Sequence, residues 1–126
     1  MRELTSHEVN PVNRNLRILA DAPGASGASY RYLVQKLLAP PHQMPSVVMA
    51  DLRFQDGPLG PNGTANGLTH EALLAILEDR LKGFQTGIYA CTDTADALFH
   101  IREAQRLLGR RTAARDARGV EGQLAA

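Results

Sequence analysis

The sequence has little cysteine, few aromatic residues and almost no net charge. Its one cysteine, Cys91, excludes a disulfide framework and supplies no zinc-binding spacing. No apolar run approaches the about 20 residues of a membrane-spanning helix, and we expect no signal peptide. Lys and Arg number 14 against 13 Asp and Glu, and this net charge of +1 argues against a general nucleic-acid coat. With three Phe, three Tyr and no Trp, large core residues are scarce, so a second chain is expected to share the burial.

What is present resembles an ordinary folded protein. The chain has 126 residues, of which 44% are hydrophobic and 21% are charged. Because domains cluster near about 100–150 residues, we expect a single domain over residues 1–126. Composition alone names no activity.

The first half of the chain has the period of β-strands. Residues 1–13 show no period, which predicts a loose arm, whereas residues 14–56 alternate apolar and polar side chains. The predicted strands begin at Asn15 and continue over about residues 29–38 and 46–55. Short turns between them indicate an antiparallel β-meander.

The second half changes to the helical period. Residues 57–67, rich in Gly, Pro and Asn, are interpreted as a surface loop, and residues 68–118 predict two helices. Thr69 and Thr92 are the predicted N-caps, and the short connection between the helices requires an antiparallel hairpin. The predicted fold class is therefore α+β, an antiparallel β-meander followed by an antiparallel α-helical hairpin.

The predicted contact stripes of the two helices end differently. The first stripe consists of Leu74, Leu77, Leu81 and Phe84. The second consists of Ala97, Ile101, Ala104 and Leu108, and the same steps then reach Arg111, Arg115 and Arg118. Arginine is costly to desolvate without a partner, so these positions favour protein carboxylates or a phosphate-bearing ligand. The alternative is a solvated helix end, where arginine suits the helix dipole.

The helix from His100 to Arg118 carries a local positive charge that the near-zero total conceals. It holds six arginines against two acids. Three of the arginines lie on a different face and are interpreted as solvated, namely Arg102, Arg106 and Arg110.

Phe84 ends the first stripe beside a glycine turn. It is either a core residue or a ring on which a purine stacks. In an antiparallel hairpin it lies near Thr94, whereas Arg111 is 17 residues further along, or about 25 Å. If Phe84 and the arginines belong to one pocket, the arginines must come from another subunit.

Other signals favour no enzyme, metal site or cofactor. The four histidines fall in separate segments without metal-ligand spacing. The glycine loop after the first strand lacks the Lys-Ser/Thr of a phosphate-binding loop. Two interpretations of Cys91 are open, a nucleophile or the commoner small buried thiol at the hairpin turn, and we expect the second.

Short motifs, in order over about residues 15–122, resemble one phage protein family. In the first half they are Asp21-Ala22-Pro23, Tyr32 and Arg53-Phe54-Gln55-Asp56-Gly57-Pro58. In the second half they are Asn66-Gly67, Leu73-Leu74-Ala75-Ile76, Asp79-Arg80-Leu81, Phe84-Gln85, Gly87, Ala90-Cys91, Arg111-Thr112 and Arg118-Gly119-Val120-Glu121-Gly122. Together they are similar to the phage anti-Thoeris signal sponges, whose α-hairpin is shared with a phage anti-CBASS sponge.

The resemblance implies a non-enzymatic binder in the cytoplasm of the infected host. Such sponges sequester glycocyclic ADP-ribose, the messenger of TIR-domain defence enzymes, and some also hold cyclic di- or trinucleotides in separate sites. They assemble as dimers and then hexamers. By position, the messenger pocket of the family falls on Phe84, Thr94, Arg111 and Arg115.

The chain departs from the family pattern at two places, one in this pocket and one in the hairpin turn. Thr94 stands where the family has Asn, and threonine cannot make the two-sided contact of an amide. The family turn Gly-Pro-Phe-Ala-Cys is Gly-Ile-Tyr-Ala-Cys at residues 87–91, which keeps an aromatic residue but lacks the proline.

The competing hypotheses are an arginine-helix protein for nucleic-acid binding or assembly, and a hydrolase that destroys the messenger.

Overall fold

The computed structural model of the protein describes residues 1–37, 45–57 and 63–117, except for the side chains of residues 45, 46 and 115–117. The described residues form a four-stranded antiparallel sheet and, after it, a pair of helices, so the predicted α+β class is confirmed. The chain divides into two compact units, Met1–Asp56 and Gly57–Ala126. The single domain expected over residues 1–126 stays a prediction.

The first unit is a β-meander of four strands. They are β1 (Arg2–Leu4), β2 (Leu16–Ala20), β3 (Arg31–Leu37) and β4 (Pro45–Arg53). Each strand pairs antiparallel with the next, in the spatial order β1-β2-β3-β4. The meander predicted from alternation is therefore confirmed, with one strand more than expected.

The extra strand comes from the segment predicted to be a loose arm, and that prediction is wrong. Arg2 lies opposite Ala20, so β1 extends the sheet beyond β2. A short helix, α1 (Pro11–Arg14), follows, and the Asn10 side chain caps it by accepting a hydrogen bond from a backbone N–H. A strand of three residues is too short to show a period in the sequence. Strand β1 is held in the sheet by its backbone pairing with β2.

One face of the sheet is apolar. Two rows of aligned residues cross it, Ile18, Val34 and Ala50 in one row and Ala20, Tyr32 and Leu52 in the next. The register then shifts after Val34, so that Gln35 lies opposite Val48. Sequence alternation places Val48 on the same face as Ala50, but this irregularity turns Val48 to the opposite face and leaves it exposed.

The glycine loop after β2 is a structural turn. The Asp21 carboxylate accepts hydrogen bonds from the backbone N–H groups of Tyr30 and Arg31, at 3.0 and 3.2 Å. Gly24 lies so close to the Tyr30 ring that a side chain there would collide with it. The connection between β2 and β3 is thus closed by the Asp21 carboxylate and by the packing of the Tyr30 ring against Gly24.

The second unit is a helical hairpin formed by α2 (His70–Gln85) and α3 (Thr92–Ala117). Thr69 is the N-cap of α2, as predicted, since its side chain accepts the N–H of Ala72 at 3.1 Å. Contacts between the helices run from Gln85 with Cys91 at the turn to Glu78 with Arg102 farther away. Such pairing requires the two helices to be antiparallel.

The hairpin packs through a stripe that is rotated from the predicted one. The half-buried or buried side chains spaced three and four apart are Glu71, Leu74, Glu78, Leu81 and Gln85 on α2, and Thr94, Leu98, Ile101, Gln105, Leu108 and Thr112 on α3. Leu77, Phe84 and Ala97, which the sequence places in the contact, are exposed. On α3 the predicted stripe and the observed stripe have the same spacing and share Ile101 and Leu108. Sequence periodicity alone therefore does not distinguish between them.

The observed contact stripe contains a cluster of polar side chains between the two helices. The Glu78 carboxylate accepts hydrogen bonds from Arg102 at 3.0 Å and from Gln105 at 3.3 Å. The hydrogen bond from Arg102, followed by that from Gln105, holds the pKa of Glu78 below its ordinary value. These charge-assisted contacts favour the stripe that contains Glu78 over the more apolar stripe with Leu77.

Candidate ligand-binding end of the helical hairpin

The turn between α2 and α3 is closed by the Gln85 side chain. Its amide oxygen accepts the backbone N–H of Cys91 at 3.1 Å, and its amide nitrogen donates to the Cys91 carbonyl at 3.2 Å. The amide therefore occupies both backbone groups of one residue on the other side of the turn. Because Gln85 follows Phe84 directly, this clamp fixes the end of α2 from which the Phe84 ring projects.

Cys91, rather than the predicted Thr92, is the N-cap of α3. Its carbonyl accepts the N–H of Ala95 at 3.1 Å, and its sulfur accepts the N–H of Thr94 at 3.4 Å. Thr92 is already the first residue of the helix. The clamp from Gln85 explains the difference, because it anchors the backbone of Cys91 at the start of the helix.

The Cys91 thiol is exposed, so the expectation of a buried thiol is wrong. Its Sγ lies 3.2 Å from the hydroxyl oxygen of Thr94. The hydrogen bond with the Thr94 side chain, followed by the one with the Thr94 backbone, lowers the pKa of Cys91 below its ordinary value. Thr94 is thereby held beside the turn and is half-buried there.

Phe84 belongs to a cluster at the same end of the hairpin. The Tyr89 ring meets it edge-on, with ring centroids 6.0 Å apart and an interplanar angle of 64°. The guanidinium carbon of Arg80, one helical turn earlier, lies over the Phe84 ring at 5.1 Å from its centroid. Phe84 is 37% exposed and Tyr89 is 70% exposed, so the rings reach solvent in this chain. Arg80 and Tyr89 both lie in motifs of the resemblance, but the sequence assigns neither of them to the pocket, although the spacing of four between Arg80 and Phe84 permits the contact.

The predicted arginine pair lies toward the other end of α3. Arg111 is exposed, and Thr112 takes the half-buried position beside it, so Arg111 does not continue the packing stripe as predicted. The backbone of Arg115 belongs to α3, but its side chain is not described. The whole of Arg118 lies outside the described residues. Along a continuous helix, Arg111 is about 25 Å from Thr94. One chain therefore brings Phe84 and Thr94 to the same end of the hairpin but leaves Arg111 remote from them.

Two of the arginines interpreted as solvated have carboxylate partners. Arg102 pairs with Glu78 of α2, and Arg106 pairs with Glu103 at 3.0 Å. Both arginines are half exposed, as is typical of surface ion pairs. These ion pairs partly neutralise the positive charge along α3. Glu78, which pairs with Arg102, lies on α2 and is therefore not among the acids counted along α3.

The described ranges contain neither a membrane-spanning helix nor a cluster of metal-binding side chains. No helix there is long and apolar enough to cross a membrane. In the same part of the chain, no three His, Cys, Asp or Glu side chains lie close enough together to hold a metal ion.

Comparison with known proteins points to the hairpin. The profile of the family described as Acb2/Tad1, hairpin domain, matches residues 49–113. This range contains α2 together with Phe84, Thr94 and Arg111, and it ends before Arg115.

A curated relative is similar over part of its length. Thoeris anti-defense 1 of Bacillus phage SBSphiJ7 is 42% identical over 74 residues, which cover 59% of this chain and 51% of the relative. The chain thus spans about half the length of the curated relative that it matches.

Proposed function

The chain belongs to the Acb2/Tad1 hairpin-domain family, and from that membership we propose that it is a phage anti-defence sponge. It binds a cyclic nucleotide immune messenger and withholds it from the host effector without cleaving it. The relative named Thoeris anti-defense 1 favours the Thoeris messenger, glycocyclic ADP-ribose, as the ligand. Cyclic di- or trinucleotides of CBASS are further candidates, and the site of action is the cytoplasm of the infected host.

The observation that carries the proposal is the exposed aromatic end of the hairpin. Phe84 stands there at the close of α2, and the Gln85 clamp holds Cys91 and hence Thr94 beside the same turn. An exposed ring is a platform for a base, and stacking of one base contributes roughly 1–3 kcal/mol. In the proposed complex Phe84 stacks on the adenine and the Thr94 hydroxyl makes a polar contact with the ligand.

The phosphates of the messenger are assigned to Arg111 and Arg115 of a neighbouring chain. Arg111 is exposed and, among the described residues, forms no ion pair with a carboxylate. Because Arg111 lies about 25 Å along α3 from Thr94, one nucleotide cannot contact both within a single hairpin. The proposal therefore includes a homo-oligomer, a dimer or the family's hexamer, in which the site is completed between chains.

The proposed contact residues suit binding rather than turnover. An aromatic ring stacks, a hydroxyl exchanges hydrogen bonds, and guanidinium groups neutralise phosphates in planar pairs. Arginine stays protonated at neutral pH, so it cannot serve as a general base. These properties favour a sponge over a hydrolase.

Calorimetry of the full chain with glycocyclic ADP-ribose tests the proposal. We expect tight, saturable binding with a fixed ratio of ligand to chain. Titration with DNA and RNA over a range of salt concentrations is the parallel experiment. Steep salt dependence on nucleic acid together with no heat from the messenger would favour the arginine-helix alternative. The ion pairs of Arg102 and Arg106 argue against that alternative, because they leave fewer arginines on α3 for a phosphate backbone.

A further inference from the structure

Arg80 is a cation next to Phe84 in the same chain. Its guanidinium carbon lies 5.1 Å from the centroid of the Phe84 ring, whereas Arg111 is separated from this end by most of α3. If the base of a nucleotide stacks on Phe84, the phosphates of that nucleotide lie within reach of Arg80, because Arg80 is next to the ring. The hairpin end therefore carries positive charge without any contribution from a second chain.

Within the described part of the chain, Arg80 forms no ion pair. On a helix, ion pairs form at spacings of three and four, and the residues at those spacings from Arg80 are Ile76, Leu77, Gly83 and Phe84. Among the described side chains no carboxylate lies within ion-pair distance of its guanidinium. Glu78, the half-buried acid on the same helix, is engaged by Arg102 and Gln105.

Arg80 is exposed, and its guanidinium lies beside apolar side chains as well as solvent. Its side of α2 is turned away from the half-buried stripe and carries exposed apolar residues, among them Ile76 at 60% exposure and Leu77 at 42%. The guanidinium lies on an aromatic face, a position that arginine favours because its flat group is weakly hydrated. The N–H groups of a guanidinium can donate to two phosphate oxygens at once, and this geometry suits the recognition of a phosphate.

We propose that Arg80 is a ligand-binding and specificity-determining residue of this site, which pairs with a phosphate of the nucleotide whose base stacks at Phe84. The inference rests on the proposed function and extends it. Each hairpin end supplies a ring, a hydroxyl and one guanidinium from its own chain, and the neighbouring chain adds Arg111 and Arg115. The site accordingly selects ligands that carry phosphate close to a purine.

The test measures the affinity of the full chain for glycocyclic ADP-ribose by calorimetry at several salt concentrations. Arg80→Gln keeps a good helix former but removes the charge. We expect it to bind at least about tenfold more weakly and with a smaller salt dependence, because a charge-assisted contact to the phosphate is lost. Arg80→Lys should retain the salt dependence and recover part of the affinity. The matched control is Arg106→Gln, which removes the same charge from an arginine already paired with Glu103 and should bind as the unmodified chain does.

The outcomes separate this inference from the proposed function. If the unmodified chain binds no messenger, the proposed function fails and the role of Arg80 fails with it. If the unmodified chain binds but Arg80→Gln has equal affinity and equal salt dependence, only the role of Arg80 is overturned. An equal loss in Arg106→Gln would overturn it as well, because the effect would then be one of net charge. Circular dichroism of each variant verifies that the hairpin is intact, and Arg80→Lys supplies the comparison if Arg80→Gln does not fold.

Discussion

Replacing Arg111 and Arg115 together with alanine is expected to weaken messenger binding by about two to four decades. Each charge-assisted hydrogen bond to a phosphate contributes about 1.5–3 kcal/mol, and about 1.4 kcal/mol corresponds to a factor of ten. Arg111 is exposed in the described chain, so its loss should leave the folded hairpin nearly as stable as before. Calorimetry with glycocyclic ADP-ribose measures the change directly.

The matched control for this variant is on the same helix. Arg106 and Arg110 are both exposed and have the same spacing of four as Arg111 and Arg115, so Arg106→Ala/Arg110→Ala removes the same charge at the same spacing. We expect it to bind the messenger with affinity close to that of the unmodified chain. Undiminished binding by Arg111→Ala/Arg115→Ala would contradict the assigned site, and equal losses in both double variants would indicate general attraction of anions.

Leu98→Ala is expected to destabilise the hairpin by about 2–4 kcal/mol, because it removes a buried side chain and leaves a cavity. Leu98 is only 7% exposed, and it lies on the same side of α3 as Gln105, which reaches Glu78 of α2. Denaturant unfolding followed by circular dichroism at the helical band measures the loss.

Leu107→Ala is the matched control, since it makes the same substitution on the same helix at a residue that is 51% exposed. Its expected cost is within about 0.5 kcal/mol, as for most surface changes. Equal destabilisation by Leu98→Ala and Leu107→Ala would contradict the contact stripe that contains Leu98.

Long periodic segments made most of the fold predictable. Alternation in the first half and the helical period in the second half are produced by the same burial that forms the sheet and the hairpin. The edge strand β1 lies beyond such prediction, because its three residues are held by pairing with Ala20 and its neighbours rather than by a pattern of their own. The shift between Val34 and Gln35 is likewise a backbone irregularity that side-chain alternation does not record.

The rotation of the hairpin stripe has a specific cause. A sequence pattern ranks positions by hydrophobicity, and it therefore prefers Leu77 and Phe84 to Glu78 and Gln85. In the structure Glu78 and Gln85 take those positions because each finds hydrogen-bond partners on the other side of the hairpin. The partners are distant along the chain, so the satisfied polar groups become visible only in three dimensions.

The same rotation accounts for what sequence analysis missed at the candidate site. Once Phe84 is outside the helix contact, its ring is free to meet Tyr89 and to carry the Arg80 guanidinium. Hairpin geometry predicts that Phe84 lies near Thr94, and the Gln85–Cys91–Thr94 contacts agree with this. The assignment of Arg111 to the same pocket stays a prediction, because it depends on a second chain.

The most direct test of the central claim, sequestration without cleavage, is recovery of the bound ligand. The full chain is incubated with glycocyclic ADP-ribose, freed of unbound ligand, denatured by heat, and its supernatant analysed by chromatography and mass spectrometry. A sponge releases the intact messenger in proportion to its sites, and Arg111→Ala/Arg115→Ala carried through the same steps releases far less. Recovery of a cleaved product, or of no messenger from the unmodified chain, would contradict the account.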